Sequence, residues 1–141
     1  MISFSAVLSW LNLGFCSIWL PADCLVGAPG VSVVPAVNQI EFHVGMGPDP
    51  AKIVSYGAAH GIVTQAYSPL GNGQLISDPQ LAAIGGAIKP SKKSGAQVAL
   101  KYVVQSGHAV CTKADNSAYL AEDIDIFSWN MTSTDMAQVR L

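Results

Sequence analysis

Residues 35–141 predict an α/β fold of short parallel strands alternating with helices. Three observations predict it. Short runs of apolar and β-branched residues recur at 36–42, 62–67 and 109–112, the length and composition of strands. Helix-start signals lie between and after these runs: Asp49-Pro50, Asp78-Pro79, Ser94-x-x-Gln97 and Thr132-x-x-Asp135. Gly61 and Gly107 stand just ahead of the second and third runs, where a helix must stop before a strand begins. Strands separated by helices make right-handed βαβ units in a parallel sheet.

The elements follow in order. Ala36-Val37-Asn38-Gln39-Ile40-Glu41-Phe42 alternates as a strand does. Asp49-Pro50 reads as N-cap and first helical residue. Ile53, Val54, Gly57 and Ala58 then share one helix face, and Gly61 ends the helix. Ile62-Val63-Thr64-Gln65-Ala66-Tyr67 is the second strand, and Ser68-Pro69-Leu70-Gly71-Asn72-Gly73 a loop of turn residues. A helix opening near Asp78-Pro79 carries Leu81, Ala82 and Ile84. The capping box at Ser94 and Gln97 opens another, with Val98, Leu100, Val103 and Val104 as its apolar residues. After the third strand, residues 117–122 form a helix, and Thr132-x-x-Asp135 caps a last one. No internal repeat or low-complexity tract is visible.

Composition narrows the class. Half of the 141 residues are hydrophobic and only 11% are charged, against about 25% in typical soluble domains. So much uncharged surface calls for a partner, a membrane or a further piece of the same fold. The formal net charge of −2 argues against nucleic acid, whose binders carry a basic stripe. Lys89, Lys92 and Lys93 form the one basic cluster, read as a solvated loop around Pro90. Cys16, Cys24 and Cys111 are odd in number and lack zinc spacing, so reduced structural cysteines are expected.

Residues 1–34 differ from the rest. They hold one charged residue, Asp23, and a long apolar run. Its length suits a signal sequence or anchor, but no basic residue precedes or flanks it. Neither strand nor helix periodicity is clear there. The stretch stays open between a signal or anchor, a misjoined sequence and a true element of the fold. Cytoplasmic placement is expected for residues 35–141, and a secretory or anchored one only through residues 1–34.

Two segments carry a family resemblance. Val37-Asn38-Gln39-Ile40-Glu41-Phe42-His43 is followed, one helix later, by Ala66-Tyr67-Ser68-Pro69-Leu70-Gly71. In this order and spacing they resemble strands six and seven of an aldo-keto reductase of the bacterial 2,5-diketogluconate reductase type. The helix from Lys93 to Gly107 and Cys111-Thr112-Lys113 fit the next helix and strand of that family. The likeness covers about three quarters of the chain. It implies a (β/α)8 barrel of the TIM type, present as about its C-terminal half, strands six to eight with their helices. A complete barrel takes about 250 residues.

The resemblance also implies a nicotinamide dinucleotide, NADP with NAD possible, and a small carbonyl substrate. Gln39 would meet the nicotinamide carboxamide, since an amide both donates and accepts; its other reading is a polar residue bonded to its neighbours. Tyr67 would stack on the nicotinamide, or serve as an ordinary core aromatic. Ser68 and Leu70 would contact the pyrophosphate from the loop. Lys113 would hold the 2′-phosphate, but Ala114 replaces the family's serine and Tyr119 its arginine. Glu122 and Asp123 match a Glu-Asn pair at the adenine end, with aspartate in place of asparagine. Ser32, in Gly30-Val31-Ser32, resembles the start of the strand-five motif.

No segment matches the family's catalytic Tyr, Lys, Asp and His motifs. His43 lies beyond strand six and is read as structural. His60 and His108 sit at helix ends, where a positive ring suits the dipole. The reading is therefore an aldo-keto reductase-like fragment, inactive alone. Its alternatives are a non-catalytic half-barrel remnant or an anchored or secreted binding protein. Self-association of the fragment is expected from its open sheet edges.

Overall fold

The computed structural model describes residues 15–17, 26 and 33–139. Most of residues 1–34, including Ser32, lie outside them, so the readings of that stretch stay there. Two compact units are present: Met1–Ile40 with Asp49–Gln65, and Glu41–Pro48 with Ala66–Leu141.

Four strands are described: β1 (Phe15–Ser17), β2 (Val37–Glu41), β3 (Val63–Tyr67) and β4 (Ala109–Val110), hydrogen-bonded in that order. β1 runs parallel to β2, with Phe15 opposite Val37 and Ser17 opposite Gln39. β4 is shorter than expected; Cys111 still donates its N–H to the Ala66 carbonyl at 2.8 Å, and Thr112 lies beyond the strand. Burial alternates along β2 and β3. Asn38, Ile40, Thr64 and Ala66 are buried, while Gln39, Gln65 and Tyr67 belong to the less covered face, as the period of two requires.

In the first unit, α1 (Ile53–Ala59) begins later than Asp49-Pro50 suggests. A 3-10 turn, Pro50–Lys52, intervenes, with Ala51 and Lys52 at positive φ. Asp49 nevertheless caps the helix across that turn. Its Oδ1 accepts the N–H groups of Val54 (2.9 Å) and Ser55 (3.1 Å), two of the donors a helix start leaves unpaired. Of the expected apolar face only Gly57 is fully buried; Ile53 and Val54 are half-buried and Ala58 is exposed. Gly61, at φ +71, ends the helix. Ile62 N–H bonds the Gly57 carbonyl and Gly61 N–H the Ala58 carbonyl, the paired closure of a Schellman motif.

In the second unit, α2 (Pro79–Ala87) is capped by Asp78 Oδ1, which accepts from Gln80 and Leu81 N–H at 2.9 Å. Leu81, Ile84 and Gly85 are its buried residues, whereas Ala82 is exposed. α3 (Gly95–Gln105) has both halves of the capping box and is buried on nearly every side from Gly95 to Val103. Such a helix is central to its core. α2 packs on it, as do α4 (Ser117–Asp125) and α5 (Ser133–Val139). Gly107, at φ +90, repeats the Schellman closure of Gly61, with His108 N–H on the Val103 carbonyl.

Phe42 is fully buried in this core. Its ring lies parallel to Tyr102 at 6.2 Å and meets His108 edge-on at 4.8 Å. This corrects the reading of His108 as a positive cap: burial holds its imidazole below the usual histidine range, because the neutral ring is favoured there. His60 does cap, through Nδ1 and the Tyr56 carbonyl at 2.9 Å. A depressed histidine stabilises the fold above the unfolded value, about 6.5. That stability is lost as pH falls through the lower folded value. Urea midpoints should therefore fall as pH is lowered from 7 to 5, and His108→Phe should flatten the slope. An unchanged slope in His108→Phe would remove His108 as its source.

Candidate dinucleotide site

In the first unit, Gln39 is half-buried on β2, and its Nε2 donates to Gln65 Oε1 at 2.9 Å. A second amide one strand over thus fixes it. A side-chain amide both donates and accepts, as a ligand with matching acceptor and donor requires. Gln65 was visible in the second strand's pattern, on the same face as Tyr67, but nothing in the sequence singled it out.

In the second unit, Tyr67 closes β3 and is half-buried. Ser68 adopts φ +49, so the chain turns sharply at the strand end. Residues 71–77 then form a kinked 3-10 segment with Asn72 at φ +54. Within it Gly71 N–H bonds the Ser68 carbonyl, and Gly73 and Leu75 N–H bond the Leu70 carbonyl. These donors are engaged internally and are not the ones to cradle a phosphate. Ser68 Oγ bonds Asn72 Oδ1 at 3.2 Å and remains exposed at the loop's surface.

Glu122 and Asp123 follow one another on α4, and Lys113 lies on the segment after β4. Asn116 caps α4 by accepting Tyr119 N–H, and Tyr119 is exposed. Lys113 is 85% exposed and pairs with Asp115 at 3.0 Å. Burial, and then the neighbouring Glu122, hold the Asp123 carboxyl above the usual carboxylate range. No hydrogen bond or ion pair among the described residues joins Lys113, Glu122 or Asp123 to Tyr67, Ser68 or Leu70.

Glu122 has a partner the sequence did not announce. Its Oε2 accepts the Ser94 hydroxyl at 2.7 Å, and its main-chain carbonyl accepts Gln97 Nε2 at 3.2 Å. Gln97 also donates to Asp125 Oδ2 at 3.0 Å, and Lys93 Nζ pairs with the same oxygen at 2.6 Å. Lys93, expected in a solvated loop, is only 8% exposed. Its charge, with the Ser128 hydroxyl, holds Asp125 below the usual carboxylate range. Lys101 is buried beside it, bonded to the Ile126 carbonyl at 2.9 Å. Both ammonium groups lie close to the Trp129 ring, at 5.7 and 5.6 Å, within cation–π range. The start of α3 thus clamps the end of α4. The capping box was the visible signal, but its second task was not.

Comparison with known proteins decides the family. An aldo-keto reductase of Mycolicibacterium vanbaalenii is 38% identical over 103 residues, 73% of this chain and 35% of that protein. One from Mycobacterium marinum is 36% identical over 104 residues, 74% of this chain and 35% of that protein. The matched region belongs to the aldo-keto reductase family. No protein-family model matches the chain.

Solved structures agree on the fold. A putative 2,5-diketo-D-gluconic acid reductase B superposes with a TM-score of 0.77 at 28% identity, covering 96% of this chain and 49% of that one. A Gox0644 mutant in complex with NADPH superposes at 0.72 with 30% identity, covering 87% and 44%. The architecture is therefore a portion of a (β/α)8 barrel. The chain spans about a third of the length of the curated relatives it matches. Among the described residues no group of three or more His, Cys, Asp or Glu could hold a metal ion, and no helix is long and apolar enough to cross a membrane.

Proposed function

We propose that the chain contributes the C-terminal, cofactor-holding part of an NAD(P)H-dependent carbonyl reductase. The observation that carries this is its superposition on a Gox0644 mutant in complex with NADPH. The residues present suit such a ligand. Gln39 offers an amide fixed by Gln65, a group that both donates and accepts. Tyr67 ends a strand with its ring half-covered, and ligands of these barrels sit at C-terminal strand ends. Ser68 and Leu70 follow at the turn toward the pyrophosphate. Lys113 takes the 2′-phosphate, with Glu122 and Asp123 at the adenine end. The dinucleotide, when bound, supplies the hydride.

A second reading, binding without reduction, is favoured by where the tyrosines lie. Tyr102 is buried, Tyr119 is exposed, Tyr56 lies against the His60 ring and Tyr67 ends β3. Lys93 and Lys101 are engaged with Asp125 and Ile126 and are not available to tune a phenol. Both readings place the protein in the cytoplasm, with any export or anchoring assigned to residues 1–34. Leu120, Ile124 and Phe127, exposed along one side of α4 and the turn after it, support the self-association expected of a partial barrel.

Lys113 tests the assignment. Lys113→Ala should weaken NADPH binding by about 1–3 kcal/mol, the scale of a charge-assisted hydrogen bond, and leave NADH nearly unchanged. Fluorescence titration of both dinucleotides decides it, in a barrel completed with the N-terminal half of a close relative. Equal losses for the two would withdraw Lys113 from the 2′-phosphate.

A further inference from the structure

We propose that Gln65 is a positioning residue, which holds Gln39 so that its carbonyl oxygen, not its amino group, is the end offered to a ligand carboxamide. This rests on the reading of Gln39 as the residue that meets the nicotinamide. The observation behind it is a directed bond between neighbouring strands. Gln39 Nε2 on β2 donates to Gln65 Oε1 on β3 at 2.9 Å, and both residues are half-buried.

The direction of that bond matters. A glutamine amide carries two N–H donors at one end and an acceptor oxygen at the other. The two ends are alike in shape, so an untethered Gln39 would present either. Two neighbouring amides also bond in either direction, and the fold would be served equally by both. A ligand would not. A carboxamide has an amino group that needs an acceptor and a carbonyl that needs a donor. With the Nε2 end of Gln39 committed to β3, the oxygen is the end that receives the ligand's amino group. Partial burial sharpens the choice, because an unpaired polar group costs more away from water than in it.

Gln65 is suited to hold that direction. It stands within a strand, between the buried Thr64 and Ala66, and strands hold a site more precisely than loops do. The bond spans 26 positions of sequence, yet both residues belong to the first unit.

Substitutions at Gln65 keep, remove or reverse the bond. Gln65→Glu, ionised, only accepts and keeps Gln39 donating. Gln65→Leu removes the partner. Gln65→Lys only donates and turns the Gln39 oxygen toward β3. The probes are NADP+ and its acetylpyridine analogue, whose methyl ketone lacks the amino group. Both are titrated calorimetrically against the 141-residue chain and these variants, with Gln39→Leu as reference. The quantity read is the ratio of the two affinities, in which changes of net charge or folded fraction cancel. Wild type should prefer NADP+ by about three- to tenfold, the scale of one hydrogen bond. Gln65→Glu should keep that preference and Gln65→Leu should lose part of it. Gln65→Lys should lose all of it, because an outward amino group serves the carbonyl of either probe.

A wild-type ratio in Gln65→Lys overturns the proposal. If that variant does not fold, a wild-type ratio in Gln65→Leu overturns it instead. A wild type that shows no preference or no binding removes the reading of Gln39, and the proposal with it. So does a preference that survives Gln39→Leu. These outcomes are distinct from the first two, in which Gln39→Leu abolishes the preference and only the role of Gln65 fails.

Discussion

Phe42→Ala should cost the second unit about 3–5 kcal/mol, the range for emptying a buried phenylalanine site. The ring is completely covered and is held on two sides, by the parallel Tyr102 ring and the edge of His108. Its neighbours on α3 are themselves buried and fixed by capping at both ends of the helix, so the cavity cannot simply collapse. Phe42→Leu should cost clearly less, because it keeps most of the volume. Urea unfolding, read as a midpoint shift at constant slope, measures both. A loss below about 1 kcal/mol for the alanine variant, well under that range, would mean that the strand end at Phe42 is not anchored as described. Tyr67, whose carbonyl accepts the Phe42 N–H at 3.4 Å, would then lose its assigned position.

The second large effect concerns chemistry. The 141-residue chain alone should oxidise no NADPH against a broad panel of aldehydes and ketones. General acid catalysis contributes about 10²–10⁴-fold, and none of the four tyrosines is placed to provide it. Tyr102 is enclosed in the core and Tyr119 faces water. Tyr56 lies against the tilted His60 ring at 4.2 Å, and Tyr67 is assigned to the cofactor. Supplying the N-terminal half of a close relative should restore turnover. Clear turnover by the chain by itself would refute the assignment and require a general acid among residues with structural roles.

What the sequence made legible was local. Ser94 and Gln97 form the capping box they advertise, Thr132 and Asp135 bond reciprocally, and Gly61 and Gly107 stop helices at positive φ. Each of these signals acts over a few residues, so spacing alone reveals it. Asp49 caps as its place before Pro50 predicts, but for donors five and six residues on, because a 3-10 turn separates it from the helix. The larger misreadings involve partners far along the chain. Lys93 looked solvated because its own neighbours are polar, yet Asp125, 32 positions away, draws it under cover. His108 resembles a charged cap because it follows a helix, yet the Phe42 ring, just past β2, packs against it edge-on. The same holds for the candidate site. Tyr67 and Gln39 stand out by motif, whereas Gln65, which fixes Gln39, is an ordinary residue until the chain is folded, and Ser94 announces its capping box but not its bond to Glu122. Asp115 is the exception: it lies two residues from Lys113 and could have been weighed from the sequence.

Gln105, at the last turn of α3, grips Met131 by both main-chain groups. Its Nε2 donates to the Met131 carbonyl at 2.8 Å, and its Oε1 accepts the Met131 N–H at 2.9 Å. One side-chain amide thus imitates the reciprocal pairing of a neighbouring strand for a single residue, just ahead of α5. That mimicry is chemically fragile in one direction. Hydrolysis of the amide to a carboxylate, during ageing or by Gln105→Glu, keeps the acceptor but replaces the donor with a second anionic oxygen facing the carbonyl. The buried Met131 would then lose half its tether and meet repulsion in its place. Gln105→Glu would thus loosen the chain at Met131, where α3 holds the approach to α5.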